Sequence, residues 1–239
     1  MTYYSGFVAA VPTAEKNAYV AHCRDAWRIL SRYGARRQVE CWGADVPHGK
    51  KTDFHRATQA RPDETPTFSW VEWPDKATCD AAWQQMMDDP DMAAMTMPFD
   101  GKRVFFGGFD PIFQFGTSQP GRYVQGFVLA VPAERKQAYA DMAASAEQMF
   151  RDHGASFMIE TWGNDVPHGQ LTDFYRATQA KEGEVPVLSW IEWPDRATCD
   201  KAARRMQDDM AGQEMPEMPF DGTRMFWAGF QPVFDERSL

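Results

Sequence analysis

The chain opens with an apolar, β-prone run from Tyr4 to Val11, which Pro12 ends before the period lengthens. Tyr19, Cys23, Ala26 and Leu30 then fall at i, i+4, i+7 and i+11, the apolar face of a helix. Gly34 stands where a left-handed helix end is expected. A second strand reads around Gln38 to Trp42 and a third from Thr67 to Trp73, the latter rich in the aromatic and β-branched residues that strands favour. Pro74-Asp75 opens another helix with Asp75 as its cap and Cys79, Ala82 and Met86 along one face, a stripe that reads as core. Phe99-Asp100-Gly101 supplies turn chemistry before a last strand, Arg103 to Phe109. The order is β-α-β-β-α-β.

The pattern then recurs. GFVAAVP at Gly6 to Pro12 returns as GFVLAVP at Gly126 to Pro132, an offset of 120 that holds for most of the chain. The helix stripes return as Tyr139, Ala143, Ala146 and Phe150 and as Cys199, Ala202 and Met206; Gly154 matches Gly34, and Arg224 to Phe230 matches the last strand. One added residue near 212–216 moves the offset to 121, so that MPFDGKR from Met97 meets MPFDGTR from Met218. Residues 1–113 and 122–239 are two copies of one unit, and the polar, turn-rich stretch 114–121 is the natural linker. The predicted fold class is α+β: two ferredoxin-like β-α-β-β-α-β repeats, each an antiparallel sheet with both helices on one face. Strands such as Phe68 to Trp73 are apolar on both sides, so each sheet needs a cover on its helix-free face. The expectation is two sheets packed sheet to sheet as a pseudo-dimeric α+β barrel, with any chemistry in their shared interior. Two separate beads are the rival, and they would leave an aromatic patch exposed.

Composition narrows the classes. Of 239 residues 44% are apolar, yet no apolar run approaches the roughly 20 needed to span a bilayer, so a soluble protein without a membrane partner is expected. The first residues carry no export signal, which makes the cytoplasm the default location. A net charge of −9, with no basic cluster to offset it, argues against nucleic acid. Cys23, Cys41, Cys79 and Cys199 form no Cys-x-x-Cys pair and read as reduced, packed thiols.

Between Trp42 and Thr67 lie 24 residues (43–66) without a clear period, a length that often marks function. Over WGADVPHGKKTDFHRATQA (42–60) and WGNDVPHGQLTDFYRATQA (162–180) the copies differ at four of 19 positions, whereas Ala21 to Leu30 and Asp141 to Phe150 agree at one in ten. The shared residues are Asp45, His48, Asp53 and Arg56, with Asp165, His168, Asp173 and Arg176. A histidine three positions after a carboxylate suits an oriented general base, so Asp45, His48 and Asp53 and their copies are candidate acid–base groups, with Arg56 and Arg176 holding an anionic group. The competing account has these side chains tying down irregular backbone. Asp-x-x-His offers at most two ligands per copy, so no metal is assigned, and no cofactor follows. Glu40, Glu72, Glu160 and Glu192 stand in expected strands with little solvent to face, so at least one is a candidate cavity carboxylate and alternative proton carrier. Trp42 and Trp162 are pocket walls or core.

GFVxxVP, WGxDVPHGxxTDF, the strand FSW or LSW followed by WPD, and the closing MPFDGxR together resemble the bacterial family of domain of unknown function 1428. The resemblance covers both copies nearly end to end and implies the dimeric α+β barrel superfamily, here as a fusion of two units. It implies no catalytic residue. The superfamily is similar in shape to cofactor-free monooxygenases, lactone isomerases and haem-handling enzymes, a likeness of shape only. The expected function is binding or transformation of a small polar molecule in clefts rimmed by the Asp/His loops, with a non-catalytic structural or interaction protein as the alternative. Monomer and homodimer both stay open beyond the internal pair.

Overall fold

The computed structural model describes residues 1–211 and 217–238. The added residue that shifts the repeat offset lies outside them. The first repeat runs β1 (Tyr3–Pro12), α1 (Lys16–Arg32), β2 (Arg37–Asp45), α2 (Phe54–Ala57), β3 (Glu64–Trp73), α3 (Lys76–Met86), α4 (Pro90–Ala94) and β4 (Phe105–Gly116). The second runs β5 (Tyr123–Pro132), α5 (Lys136–Asp152), β6 (Phe157–Asp165), α6 (Phe174–Ala177), β7 (Glu184–Trp193), α7 (Arg196–Met210) and β8 (Phe226–Arg237). Asp75 and Asp195 cap α3 and α7 by accepting from the amides of Thr78 (2.8 Å) and Thr198 (2.7 Å), satisfying donors that a helix start leaves orphaned. Gly34 and Gly154, at φ +98° and +97°, end α1 and α5 in the left-handed conformation that glycine adopts without steric penalty.

The two ferredoxin-like sheets packed sheet to sheet are not what forms. The eight strands make one closed antiparallel barrel in the order β1-β3-β2-β8-β5-β7-β6-β4, returning to β1. The reason lies in β4 and β8, which are 12 residues long and extend well past Phe109 and Phe230. The first part of β4 pairs with β1, from Phe105 opposite Val8 to Phe109 opposite Tyr4, while its remainder crosses to β6 as far as Gly116 opposite Phe157. β8 does the same between β5 and β2. Register shifts at Gly108/Phe109 and Pro111/Phe113 are bulges that bend β4 round the corner. A strand shared in this way leaves neither repeat a free edge, so the sheet closes instead of stacking.

Alternation along each strand sends one set of side chains into the barrel and the other under the helices. The barrel interior is packed with Tyr4, Val8, Phe68, Trp70, Phe105, Phe109, Trp190 and Phe230. Trp70 and Trp190, one from each repeat, stack with centroids 4.3 Å apart. The shared interior is therefore a packed core. Phe54 and Phe174, at the starts of α2 and α6, join that core edge-on to Phe226 and Phe230 and to Phe105 and Phe109 respectively.

Candidate functional site

In the long loops a carboxylate holds the backbone. Asp53 starts α2, accepting from the amides of Arg56 (2.8 Å) and Gly49 (3.0 Å), and Asp173 repeats this with Arg176 (2.7 Å) and Gly169 (3.2 Å). Arg56 donates to the carbonyls of Gly49 (2.8 Å) and Lys50 (3.1 Å), and Arg176 to that of Gly169 (2.8 Å). A β-carbon at Gly49 would stand 2.0 Å from the Thr52 carbonyl oxygen, which explains the glycine after the histidine. Both loops cross the pseudo-twofold: Thr52 Oγ1 donates to the Ala177 carbonyl (2.6 Å), Gln59 to that of Leu171 and Gln179 to that of Lys51.

His48 and His168 sit on the outside of these loops, with side chains 76% and 74% exposed, their Nδ1 atoms 3.8 and 3.6 Å from Asp53 and Asp173. Their rings lie over His55 and Tyr175, with centroids 4.6 Å apart in each case. The nearest carboxylate is thus the one five residues later; Asp45 faces Arg196 at 3.6 Å and Asp165 faces Lys76 at 3.9 Å. Trp42 and Trp162 are buried packing residues, beneath Lys16 and Lys136.

The four strand glutamates divide into two kinds. Glu72 and Glu192 belong to a buried charge cluster around Arg37, and burial raises the Glu192 carboxyl. Glu40 and Glu160 lie on the helix side of the barrel, each opposite a serine across the ladder, Ser69 and Ser189. Each also accepts from a buried tyrosine on the overlying helix, Tyr19 (2.5 Å) and Tyr139. Ser69 donates to the same Glu40 oxygen as Tyr19, and Gln38 Nε2 donates to the other at 2.7 Å. Burial together with the glutamate pushes the Tyr19 hydroxyl well above its ordinary range, so it stays a donor.

Glu40 lines a cavity of about 580 Å³ between the barrel and the helices of the first repeat. Phe7 and Val71 belong to its floor, Ala26 and Leu30 of α1 to one wall, and Trp83, Met92 and Met95 to the other. Around it also stand His22, whose Nδ1 lies 3.0 Å from the Thr96 carbonyl, and Lys102. The volume falls within the range that small-molecule sites occupy, and an apolar wall with a few polar groups is their usual character. None of the loop residues Asp45, His48, Asp53 or Arg56 lines it. Among the described residues no group of three His, Cys, Asp or Glu side chains is placed to share a metal ion, and no helix is long and apolar enough to cross a membrane.

Tyr19 and Ser69 are the residues that sequence reasoning missed as site groups. The available signal was the joint matching of Tyr19/Tyr139, Glu40/Glu160 and Ser69/Ser189 at one offset. Only the strand register, with Glu40 directly opposite Ser69, shows that they meet.

Burial drives Glu160 up to about 7, against the lowering effect of Tyr139 and Ser189. A carboxyl raised on folding penalises the folded state once it ionises, so the penalty is absent below about pH 4.5, where both states are protonated, and complete above about 7. Glu160→Gln is accordingly expected to stabilise the protein by about 1–3 kcal/mol at pH 8 and by under about 1 kcal/mol at pH 5. Urea unfolding at the two pH values reads this, and an equal gain at both would contradict a raised carboxyl.

An antiparallel barrel closed by two repeats, each with helices on its outside, is the dimeric α+β barrel fold. Solved structures with the same architecture include an anthrone oxidase-like protein (TM-score 0.62, 11% identity, 99% of this chain and 93% of that one). A putative monooxygenase from Lactobacillus acidophilus (TM-score 0.55, 8% identity, 99% and 96%) and one from Fusobacterium nucleatum (TM-score 0.54, 8% identity, 99% and 94%) share it too. At such identities the likeness is one of fold. The chain belongs to the DUF1428 family, whose description is protein of unknown function and whose profile matches residues 2–101 and again 122–222. The uncharacterized protein YbaA of Escherichia coli K12 is 47% identical over 116 residues, 48% of this chain and 99% of that protein, so one relative spans one repeat.

Proposed function

We propose that the protein binds a small, largely apolar molecule in the first-repeat cavity and moves a proton to or from it through Glu40. The observation that carries this reading is a carboxylate, tied to the protein by three donors, at the wall of a largely apolar cavity. An ionised carboxylate has about four acceptor positions, so one is left for a ligand hydroxyl or an acidic C–H. Low local polarity strengthens whatever bond forms there. That two relatives in fold are named putative monooxygenases, and another anthrone oxidase-like, accords with a small-molecule ligand. For the Asp45/His48/Asp53/Arg56 loop and its copy we infer the structural role of holding Phe54 and Phe174 in the barrel.

Two probes test the cavity. Calorimetry should detect 2-naphthol binding to the wild type, weaker by about tenfold or more in Glu40→Gln, where an anionic acceptor becomes a neutral one. Ala26→Phe, which fills the cavity from α1, should abolish binding while leaving the circular dichroism spectrum unchanged. Deuterium exchange into 2-tetralone α to its carbonyl should run faster than background with the wild type and at background with Glu40→Gln. Binding that survives Ala26→Phe would refute the site, and exchange that survives Glu40→Gln would refute the proton carrier.

A further inference from the structure

Gln38 bonds Glu40 Oε1 through Nε2, and this fixes which way its amide points, because the opposite orientation would set a carbonyl against a carboxylate. Its own Oε1 is buried with no donor among the described residues. A buried carbonyl without a partner is unfavourable by roughly 1–3 kcal/mol, and folded proteins seldom keep one without cause. Support of the glutamate is not the cause. Among the described residues the second repeat holds Glu160 with Tyr139 and Ser189, and it carries Met158 where the first has Gln38. Gln38 lines the cavity beside Glu40, which puts its amide within reach of a molecule bound there.

We infer that Gln38 determines specificity: the cavity selects ring compounds with two neighbouring hydrogen-bond donors, one for Glu40 and the second for Gln38 Oε1. The ligand class is a vicinal or peri diol, or the corresponding amino alcohol, on an apolar ring system. This rests on the cavity reading above. A site built with an acceptor discriminates strongly against a ligand that lacks the matching donor, because the acceptor is then sealed in unpaired.

Calorimetric titration with 2,3-dihydroxynaphthalene, its monomethyl ether and 2-naphthol tests the inference on the full chain. In the wild type the diol should bind about tenfold or more tighter than the monomethyl ether. In Gln38→Met the two should bind within about twofold of each other. Methionine already occupies the equivalent place at Met158, so the variant is expected to fold, and its melting temperature serves as the control. Equal binding of diol and ether by the wild type overturns the role of Gln38 while leaving the cavity intact. Persistence of the preference in Gln38→Met does the same. Failure of 2-naphthol itself to bind the wild type removes the cavity reading, and the inference with it.

Discussion

Replacing Arg37 with methionine should lower the stability of the protein by about 3–5 kcal/mol at pH 7, the penalty typical of removing one partner from a buried charge cluster. The Arg37 guanidinium is buried and bonds Asp235 through two nitrogens, both at 2.8 Å. A third nitrogen reaches Glu72 at 3.3 Å and Ser118 Oγ at 2.5 Å. Ser118 in turn donates to Glu192, which also accepts from the Gln119 amide at 2.9 Å. One cation therefore serves three carboxylates drawn from β3, β7 and β8, and ties the junction between the repeats to the barrel end. Methionine roughly preserves the volume but leaves Asp235 and Glu72 without that cation. Urea unfolding reads the effect. A loss under about 1 kcal/mol would contradict this account. The double variant Arg37→Met with Asp235→Leu should recover part of the loss.

Phe54→Ala should cost a similar amount, about 3–5 kcal/mol, because its fully buried ring stands edge-on to Phe68, Phe226 and Phe230 and little can collapse into the vacated space. Phe174→Ala should match it, through Phe105 and Phe109. His48→Ala, by contrast, removes an exposed side chain and should change stability by no more than about 0.5 kcal/mol. The three variants together test whether the loop's value lies in the phenylalanine it delivers or the histidine it displays. Thermal and urea unfolding should rank both phenylalanine variants far below His48→Ala; a histidine variant as unstable as either would reverse the assignment.

Much of the fold was legible in the residues. The 120-residue offset exposed the duplication, the cap at Asp75 and the glycines at 34 and 154 delimited helices, and the aromatic and β-branched residues of Thr67 to Trp73 marked a strand apolar on both sides. Barrel closure was not legible, because it depends on β4 and β8 running on through polar and proline-containing sequence such as Asp110-Pro111. Strand propensity fades there, while pairing with the other repeat supplies the order. The site was half legible. Glu40 was recognisable as a carboxylate with little solvent to face, but its partners Tyr19 and Ser69 come from a helix and another strand that only the fold brings to it. The close agreement of the two loops drew attention to His48 and His168, while Gly49, Asp53 and Phe54 of the same segment hold the loop backbone and reach the core.

Joining two units in one chain releases them from symmetry. Where identical subunits assemble, any substitution appears on both sides of the axis at once, so an arginine entering the barrel would meet its own copy across the centre. Here Arg37 has Phe157 as its counterpart, and Gln38 has Met158. A covalent pair can thus keep one half as a scaffold that completes the barrel while the other acquires a ligand preference of its own, and no partner need be found in solution to supply the missing strands.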